Sequence, residues 1–157
     1  MKRFRPTFSS AIVPFIILVV GCANDNISMP NPQTVQNIIL YNKSINTIKY
    51  YIAGDWKLNY KIGGFTGTER TDFDTTYFEF HFQWADTFIR IDTGKITLNT
   101  PINWEKPNYA PYGAYVMSWP LNPIQFELFA VQIKDGMLIL SDTCPDCYDY
   151  YLSRVKL

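Results

Sequence analysis

The pattern of apolar and polar side chains changes near residue 54. From there to the C-terminus apolar side chains tend to take every second position, as in Trp56, Leu58 and Tyr60. This period of two is typical of a strand with one buried face. Eight segments share the pattern or an apolar run, namely 56–62, 78–84, 88–92, 95–99, 115–119, 126–134, 137–142 and 149–155. Turn residues separate them, and Asp135-Gly136 is a hairpin signature.

About eight antiparallel strands predict an all-β domain. Such a sheet covers its apolar face either by closing into an up-and-down barrel or by folding into a two-sheet sandwich. A barrel of eight strands has an interior that holds side chains or one small ligand. Short connections in strict succession favour the barrel, and the sandwich remains the alternative.

A different periodicity precedes the strands. Between residues 34 and 52 apolar side chains recur at steps of three and four, from Val35 through Ile45 to Ile52. This spacing predicts one helix over 34–52. Asn31 and Pro32 are the expected N-cap and first helical residue. We expect the helix to pack against the barrel and to have no chemical role.

The first 21 residues have the pattern of an export signal. Lys2, Arg3 and Arg5 precede the apolar run Ala11–Val20. About ten apolar residues match the central region of a signal peptide. They fall short of the roughly 20 that a membrane-spanning helix requires.

The segment Val19-Val20-Gly21-Cys22 resembles the lipobox of bacterial lipoproteins. The resemblance implies cleavage before Cys22 and acylation of its thiol, with palmitate among the acyl chains, so that the protein is anchored in a membrane. Residues 22–33 are then a flexible tether, and 34–157 form the domain. Ala23, rather than aspartate, follows the cysteine, which favours the outer membrane of the cell envelope without indicating the leaflet.

Charge and composition argue against some classes of function and support a fold class. The chain has 14 Lys and Arg and 14 Asp and Glu. Removal of residues 1–21 leaves 11 basic against 14 acidic side chains, so the mature protein is acidic. A nucleic-acid partner is therefore not expected, because it requires a basic surface. An aromatic content of 17% supports a β-rich domain.

Two short motifs at the ends of the domain resemble lipocalins. Gly54-Asp55-Trp56 is similar to the Gly-x-Trp that opens the first lipocalin strand, and Arg154 is similar to the arginine of the last strand. Together with the lipobox they resemble lipocalin-like lipoproteins of the Bacteroidetes type. The resemblance implies that Trp56 lies at one barrel end under Arg154, in a cation–π contact of about 0.5–2 kcal/mol.

The inward positions of the predicted barrel are mostly aromatic or aliphatic. They either line a pocket for a small hydrophobic ligand or fill a solid core. The candidate cavity residues are Leu58, Tyr60, Phe78, Phe80, Phe82, Leu98, Met117 and Phe126.

Cys144 and Cys147 form a Cys-x-x-Cys motif between two predicted strands. No helix N-terminus is expected there to lower a thiol pKa for redox chemistry. A zinc site needs two further ligands, and His81 is the only histidine. Pro145 and Asp146 suit a type I turn, which brings its ends close enough for a disulfide. A structural disulfide is therefore preferred to a redox or metal role.

The remaining polar candidates are weak. His81 shares the polar face of its strand with Glu79 and suits a solvated position. Asp72 and Asp74 could pair with Glu79 as acid and base. The aspartates 142, 146 and 149 are typical turn formers, although they could also gather calcium. No hydrolase, metalloprotease or phosphate-loop motif occurs. We therefore expect no enzyme activity, metal or cofactor.

The sequence supports three functions in decreasing order. The first is a membrane-anchored, lipocalin-like protein that binds a small or hydrophobic ligand. The second is a cell-envelope interaction module with a solid core, whose protein partner contacts the tyrosine-rich loop 109–115. The third is an enzyme that uses an acid pair or the Cys-x-x-Cys motif.

Overall fold

The computed structural model describes residues 30–121, 124–144 and 146–155. The export signal 1–21 and Cys22 therefore lie outside the described residues. Within the described ranges the chain forms one α-helix, α1 (Ile45–Ile52), and a 3-10 turn at Pro111–Gly113. The strands are β1 (Ile38–Ile39), β2 (Gly54–Gly63), β3 (Glu69–Asp72), β4 (Thr76–His81), β5 (Thr87–Asp92), β6 (Lys95–Pro101), β7 (Asn103–Glu105), β8 (Val116–Leu121), β9 (Ile124–Lys134), β10 (Met137–Asp142) and β11 (Tyr148–Arg154).

The strands form one antiparallel sheet in the order β6-β5-β4-β2-β11-β10-β9-β8-β7. Most neighbours in this order are also neighbours along the chain, so the sheet is an up-and-down meander. Only the short β3 lies between β2 and β4 along the chain, so the one distant pair in this order is that of β2 and β11, which joins the start of the sheet to its end. The predicted class, all-β with one helix, is confirmed.

The two ends of the sheet order belong to the same stretch of chain. Only Ile102 separates β6 from β7. The first of these strands pairs with β5 and the second with β8. A single bent segment therefore borders both sides of the gap, and the sheet curls into a nearly closed barrel rather than a sandwich.

The described residues form eleven strands where the pattern predicts about eight. The three additional strands, β1, β3 and β7, lie outside the eight predicted segments, and β3 and β7 each adjoin a break in the chain. Both β3 and β4 pair with β2, although residues 73–75 interrupt them. The break at Ile102 likewise divides β6 from β7. Bends of this kind let a sheet curve into a barrel, and alternation of side chains does not reveal them.

The predicted helix at 34–52 is wrong over its first part. The helix begins at Ile45, where the hydroxyl of the N-cap Ser44 accepts a hydrogen bond from the backbone N–H of Thr47 at 3.3 Å. Asn31, the predicted cap, instead accepts from the backbone of Gln33 in a turn. Residues 38–39 form β1 against β9, which extends beyond its pairing with β8. Isoleucine suits this strand, and the pairing satisfies backbone groups of β9.

The helix covers the end of the barrel at which β2 begins. Ile48, Tyr51 and Ile52 are buried in the main core with residues of β2, β4 and β5. An ion pair between Lys49 and Asp86 ties the helix to the segment between β4 and β5. Among the described residues, no helix has the length and apolar character needed to cross a membrane.

Candidate functional site

The end covered by α1, here called the closed end, is built around Trp56. Its side chain is 1% exposed, and its indole N–H donates to the carbonyl oxygen of Ile52 at 2.8 Å. The guanidinium carbon of Arg154 lies 4.2 Å from the centre of the Trp56 ring. The contact that the lipocalin resemblance implies is therefore present.

Arg154 also fastens the helix to the barrel. Its guanidinium donates to the carbonyl oxygens of Ala53 and Tyr51 at 2.9 and 2.7 Å. Burial lowers the pKa of Arg154, and the charge of Asp55 opposes that shift. Gly54 leaves room for the arginine, because a Cβ there would lie 3.3 Å from a guanidinium nitrogen and its φ of 102° favours glycine.

The end of the barrel opposite α1, here called the open end, has the turns at 64–68, 93–94 and 143–147. A cavity of about 220 Å³ lies inside the barrel toward this end. The lining residues are Leu58, Lys61, Phe73, Phe78, Phe88, Arg90, Leu98, Trp119, Phe126 and Tyr150. Leu58, Phe78 and Trp119 are buried, whereas Lys61, Arg90 and Leu98 are half-buried. The cavity thus has an apolar floor and a more exposed, partly charged rim.

Half of the predicted cavity residues line this space. Leu58, Phe78, Leu98 and Phe126 do so. Phe80 and Met117 are buried in the core without lining the cavity.

The other two predicted cavity residues lie elsewhere. Phe82 follows the end of β4 and packs near Trp104, with ring centroids 6.1 Å apart, beside the closed end. Tyr60 lies outside the cavity. Its ring stacks on that of Tyr151, with centroids 4.6 Å apart, and the guanidinium carbon of Arg70 lies 3.9 Å from the centre of the Tyr60 ring. Lys61 replaces it in the lining.

A β-bulge explains the exchange of Tyr60 for Lys61. Tyr60 is paired with Tyr151 and Leu58 with Leu152, so Asn59 is an extra residue in β2. One extra residue reverses the facing of every side chain that follows it in the strand. The period-two pattern, extended without a bulge, therefore selects the wrong side chain.

Arg90, which was not predicted from the sequence, also lines the cavity. Phe88 and Arg90 are two positions apart in β5 and therefore share a face, which was a usable signal. Arg90 donates to Asp92 through Nε at 2.9 Å and Nη2 at 3.2 Å. Thr76 and Thr97 also donate to this carboxylate, each at 2.7 Å. Burial opposes ionisation of Asp92, yet these hydrogen bonds hold its pKa below the ordinary value.

A second carboxyl group near the open end, that of Asp142, has its pKa shifted in the opposite direction. Burial raises the pKa of Asp142, and hydrogen bonds from the backbone of Tyr148 and the hydroxyl of Tyr150 only partly offset it. Its Oδ1 is buried and has no hydrogen-bond partner within the described part of the chain. Burial is the largest cause of the raised pKa of Tyr150, and the neighbouring Asp142 raises this pKa further.

Cys144 and Cys147 lie in the turn between β10 and β11 at disulfide distance, with Cα atoms 5.4 Å apart. This is within the usual disulfide range. Asp142 lies within 4.8 Å of both sulfurs. Paired sulfurs are not thiolates and so do not bind a metal. Asp146 is exposed and Asp149 accepts from Ser141, so the three predicted aspartates have separate environments.

His81 is exposed, and its Nε2 lies 3.2 Å from a carboxylate oxygen of Glu79. Asp55 lies directly opposite Glu79 on the neighbouring strand. Potential ligand atoms of these three residues lie within 4.8 Å of one another on the outside of the barrel. Sequence spacing did not reveal this group, because strand pairing brings Asp55 to it. Asp72 is instead paired with Arg70 at 2.7 Å, and neither Asp72 nor Asp74 belongs to the group that contains Glu79.

Comparison with known proteins finds no family model, no curated protein and no solved structure that matches this chain. The candidate site therefore has to be interpreted from its own geometry.

Proposed function

We propose that this chain is a membrane-anchored, lipocalin-like protein that binds a small, largely apolar ligand in the barrel cavity. The observation that carries the proposal is the cavity of about 220 Å³ above a floor of aromatic and aliphatic side chains. Its volume lies below the roughly 300–1,000 Å³ typical of pockets for drug-sized molecules, which favours a small ligand.

The composition of the lining favours binding over catalysis. The ten lining residues that the structure describes include no serine, cysteine, histidine or carboxylate. Covalent catalysis and general acid–base catalysis most often use such side chains, and of the described lining residues only Lys61 and Tyr150 can also take these roles. The wall therefore offers apolar contacts and hydrogen-bond donors to a guest molecule.

The ligand proposal can be tested by mass spectrometry of protein purified from its own membrane under native conditions. We expect a co-purifying small molecule in the wild type. Leu98→Trp should fill the cavity from its rim and remove that molecule. Ile96→Trp is the matched control, because Ile96 lies on the same strand and is 62% exposed. Retention of the molecule by Leu98→Trp would place it outside the cavity.

The anchor is the second part of the proposal and rests on Cys22, which follows the charged and apolar signal segment. We propose acylation at Cys22 and an outer-membrane location. Cys22→Ser should leave an uncleaved precursor without fatty acid. Radiolabelled fatty acid and the migration of the chain on a gel measure both outcomes, and normal maturation of the variant contradicts the anchor.

Exposed tyrosines favour a second candidate function, an envelope interaction module. Tyr109 and Tyr112 are 61% and 75% exposed in the loop 109–115. Tyr112 has a φ of 58°, which is uncommon for a residue with a side chain. Crosslinking in intact cells from a photoreactive residue at position 112 tests this function. A specific crosslinked protein would favour it, and its absence would favour the ligand-binding proposal.

A further inference from the structure

Three of the four polar groups known to line the cavity only donate hydrogen bonds. They are the cations of Lys61 and Arg90 and the indole N–H of Trp119. The fourth is the Tyr150 hydroxyl, which already donates to Asp142 at 3.3 Å and keeps its oxygen as an acceptor. Among the described lining residues none has a side-chain carboxylate or amide. A guest molecule in this cavity would therefore meet mainly donors, which favours a guest that supplies an acceptor.

Lys61 is the most informative of these groups. Its ammonium lies 3.6 Å from the centre of the Tyr148 ring. It has no hydrogen bond or ion pair with any other residue for which the structure gives coordinates. A half-buried charge without a carboxylate partner is unfavourable unless a counter-charge reaches it. The bulge at Asn59 is what turns Lys61, rather than Tyr60, toward the cavity.

Arg90 is held in a fixed orientation beside the same space. Asp92 binds Nε and Nη2 of its guanidinium, as described above. No hydrogen bond involves Nη1 within the described ranges. A guanidinium fixed on one side by a carboxylate can present its remaining donors to an anion without further ordering.

The two acids near these cations affect them differently. Asp92 is the ion-pair partner of Arg90 and also accepts from Thr76 and Thr97, so it neutralises the charge of Arg90 while Nη1 remains a donor. Asp142 is not among the lining residues; the charge of Lys61 acts on it without an ion pair, and its Oδ2 accepts from Tyr148 and Tyr150. The positive character of the rim therefore comes mainly from Lys61.

We propose that the ligand is a small amphiphile with one carboxylate, whose head binds Lys61 and Arg90 while its apolar body packs on the aromatic floor. This inference rests on the proposed function, since it names the ligand class of the same cavity. The limited volume fits a short or medium chain rather than a long-chain lipid.

The test compares three probes of equal chain length: octanoate, octanol and octylamine. Each is titrated calorimetrically into the full chain in lipid nanodiscs, with empty nanodiscs as the blank. We expect octanoate to bind at least about tenfold more tightly than octanol, as one charge-assisted hydrogen bond provides. Octylamine should bind most weakly. Added salt should weaken the binding of octanoate and leave the binding of octanol unchanged, and this measurement needs no variant.

Lys61→Met should abolish the preference for octanoate while octanol still binds. Lys57→Met is the matched control, because Lys57 precedes the bulge in the same strand and faces away from the buried side chains on either side of it. It should leave all three affinities unchanged. Circular dichroism checks that both variants are folded.

The outcomes separate the two proposals. Equal affinities for octanoate and octanol, or an unchanged preference in Lys61→Met, would overturn the carboxylate inference and leave cavity binding intact. Tightest binding of octylamine would overturn it as well and indicate Asp142 as the dominant charge. Failure of all three probes to bind would overturn the proposed function together with the inference.

Discussion

The closed end and the open end of the barrel differ in how completely their polar groups are satisfied. At the closed end the Trp56 indole and two guanidinium nitrogens of Arg154 all reach carbonyl oxygens, and the exception is the buried Nε1 of Trp104, which has no partner among the described residues. At the open end, within the same described part of the chain, the Lys61 ammonium contacts only an aromatic ring and Oδ1 of Asp142 has no partner. Native proteins rarely leave buried polar groups unpaired, so the closed end has the character of a structural region and the open end that of a binding region.

The largest effect should come from the closed end. Trp56→Ala removes a side chain that is 1% exposed and leaves the donors of Arg154 over a cavity. We expect the free energy of unfolding to fall by about 3–5 kcal/mol, measured by urea denaturation. Trp84→Ala is the matched control, because Trp84 is 99% exposed and its removal should change stability by no more than about 0.5 kcal/mol. Similar losses in the two variants would contradict the structural role of Trp56.

The next largest effect tests whether the open end also contains a rigid point. A Cβ added at Gly63 would collide with the carbonyl oxygen of Cys147, whereas one added at Gly67 meets nothing within 4 Å. Gly63→Ala should cost about 1–3 kcal/mol from overpacking. Gly67→Ala should cost less, since only its φ of 71° resists a side chain. Equal losses in urea denaturation would show that the backbone of the open end adapts freely.

The cysteine pair should contribute less. A disulfide between Cys144 and Cys147 closes a loop of four residues. A loop this short restricts the unfolded chain little, so the double Cys→Ser variant should fold and lose no more than about 2 kcal/mol. Thiol titration of the unreduced mature protein should find neither cysteine free. A reduced pair that binds zinc stoichiometrically would show instead that the turn is a metal site.

The smallest expected effect is on the pH dependence of stability, which should differ between Asp92 and Asp142 at the open end. The pKa of Asp92 is lowered on folding, so its stabilisation is present above about pH 4, the ordinary aspartate value, and is lost as the pH falls through the lower folded value. Asp92→Asn should therefore cost about 1 kcal/mol at pH 7, because Arg90 is partly exposed, and less in acid.

Asp142 should respond in the opposite direction. Its folded pKa is raised, so its contribution to stability is greatest in acid and is lost as the pH rises through the folded value. Asp142→Asn should be no less stable than the wild type at pH 7. Urea denaturation between pH 3 and pH 7 measures both variants. A larger loss in Asp142→Asn than in Asp92→Asn at neutral pH would reverse the assignment of the two sites.

How much the sequence could reveal depended on whether periodicity was interrupted. Alternation identified four of the ten described lining residues, including Leu58, Phe78 and Phe126, because the facing of a strand residue follows from its parity. It failed at Tyr60, since the bulge at Asn59 depends on pairing with β11, about 90 residues later in the chain. No local signal in the sequence of β2 reports that partner.

The helix shows a different limit. Apolar steps of three and four ran from Val35 to Ile52, yet residues 38–39 pair with β9. Ser44, with Thr47 three positions later, carried the capping signal that marks the true start. The contact of Arg154 with Trp56 was accessible only through the lipocalin resemblance, because nothing local relates the two ends of the domain.

The pairing of β2 with β11 has a consequence for the order of folding. Apart from the short β1, it is the one pair in the described sheet that brings together distant parts of the chain. Joining distant segments carries a loop-closure entropy that neighbouring hairpins avoid. We therefore expect the hairpins to form first and the first and last strands to meet late.

The contact of Arg154 with Trp56 lies across this late pairing. Interactions absent from the transition state affect mainly the unfolding rate. Arg154→Met should thus unfold faster while its folding rate changes little, as stopped-flow measurements over a range of urea concentrations would show. The arginine would then determine the lifetime of the folded barrel rather than the speed with which it forms.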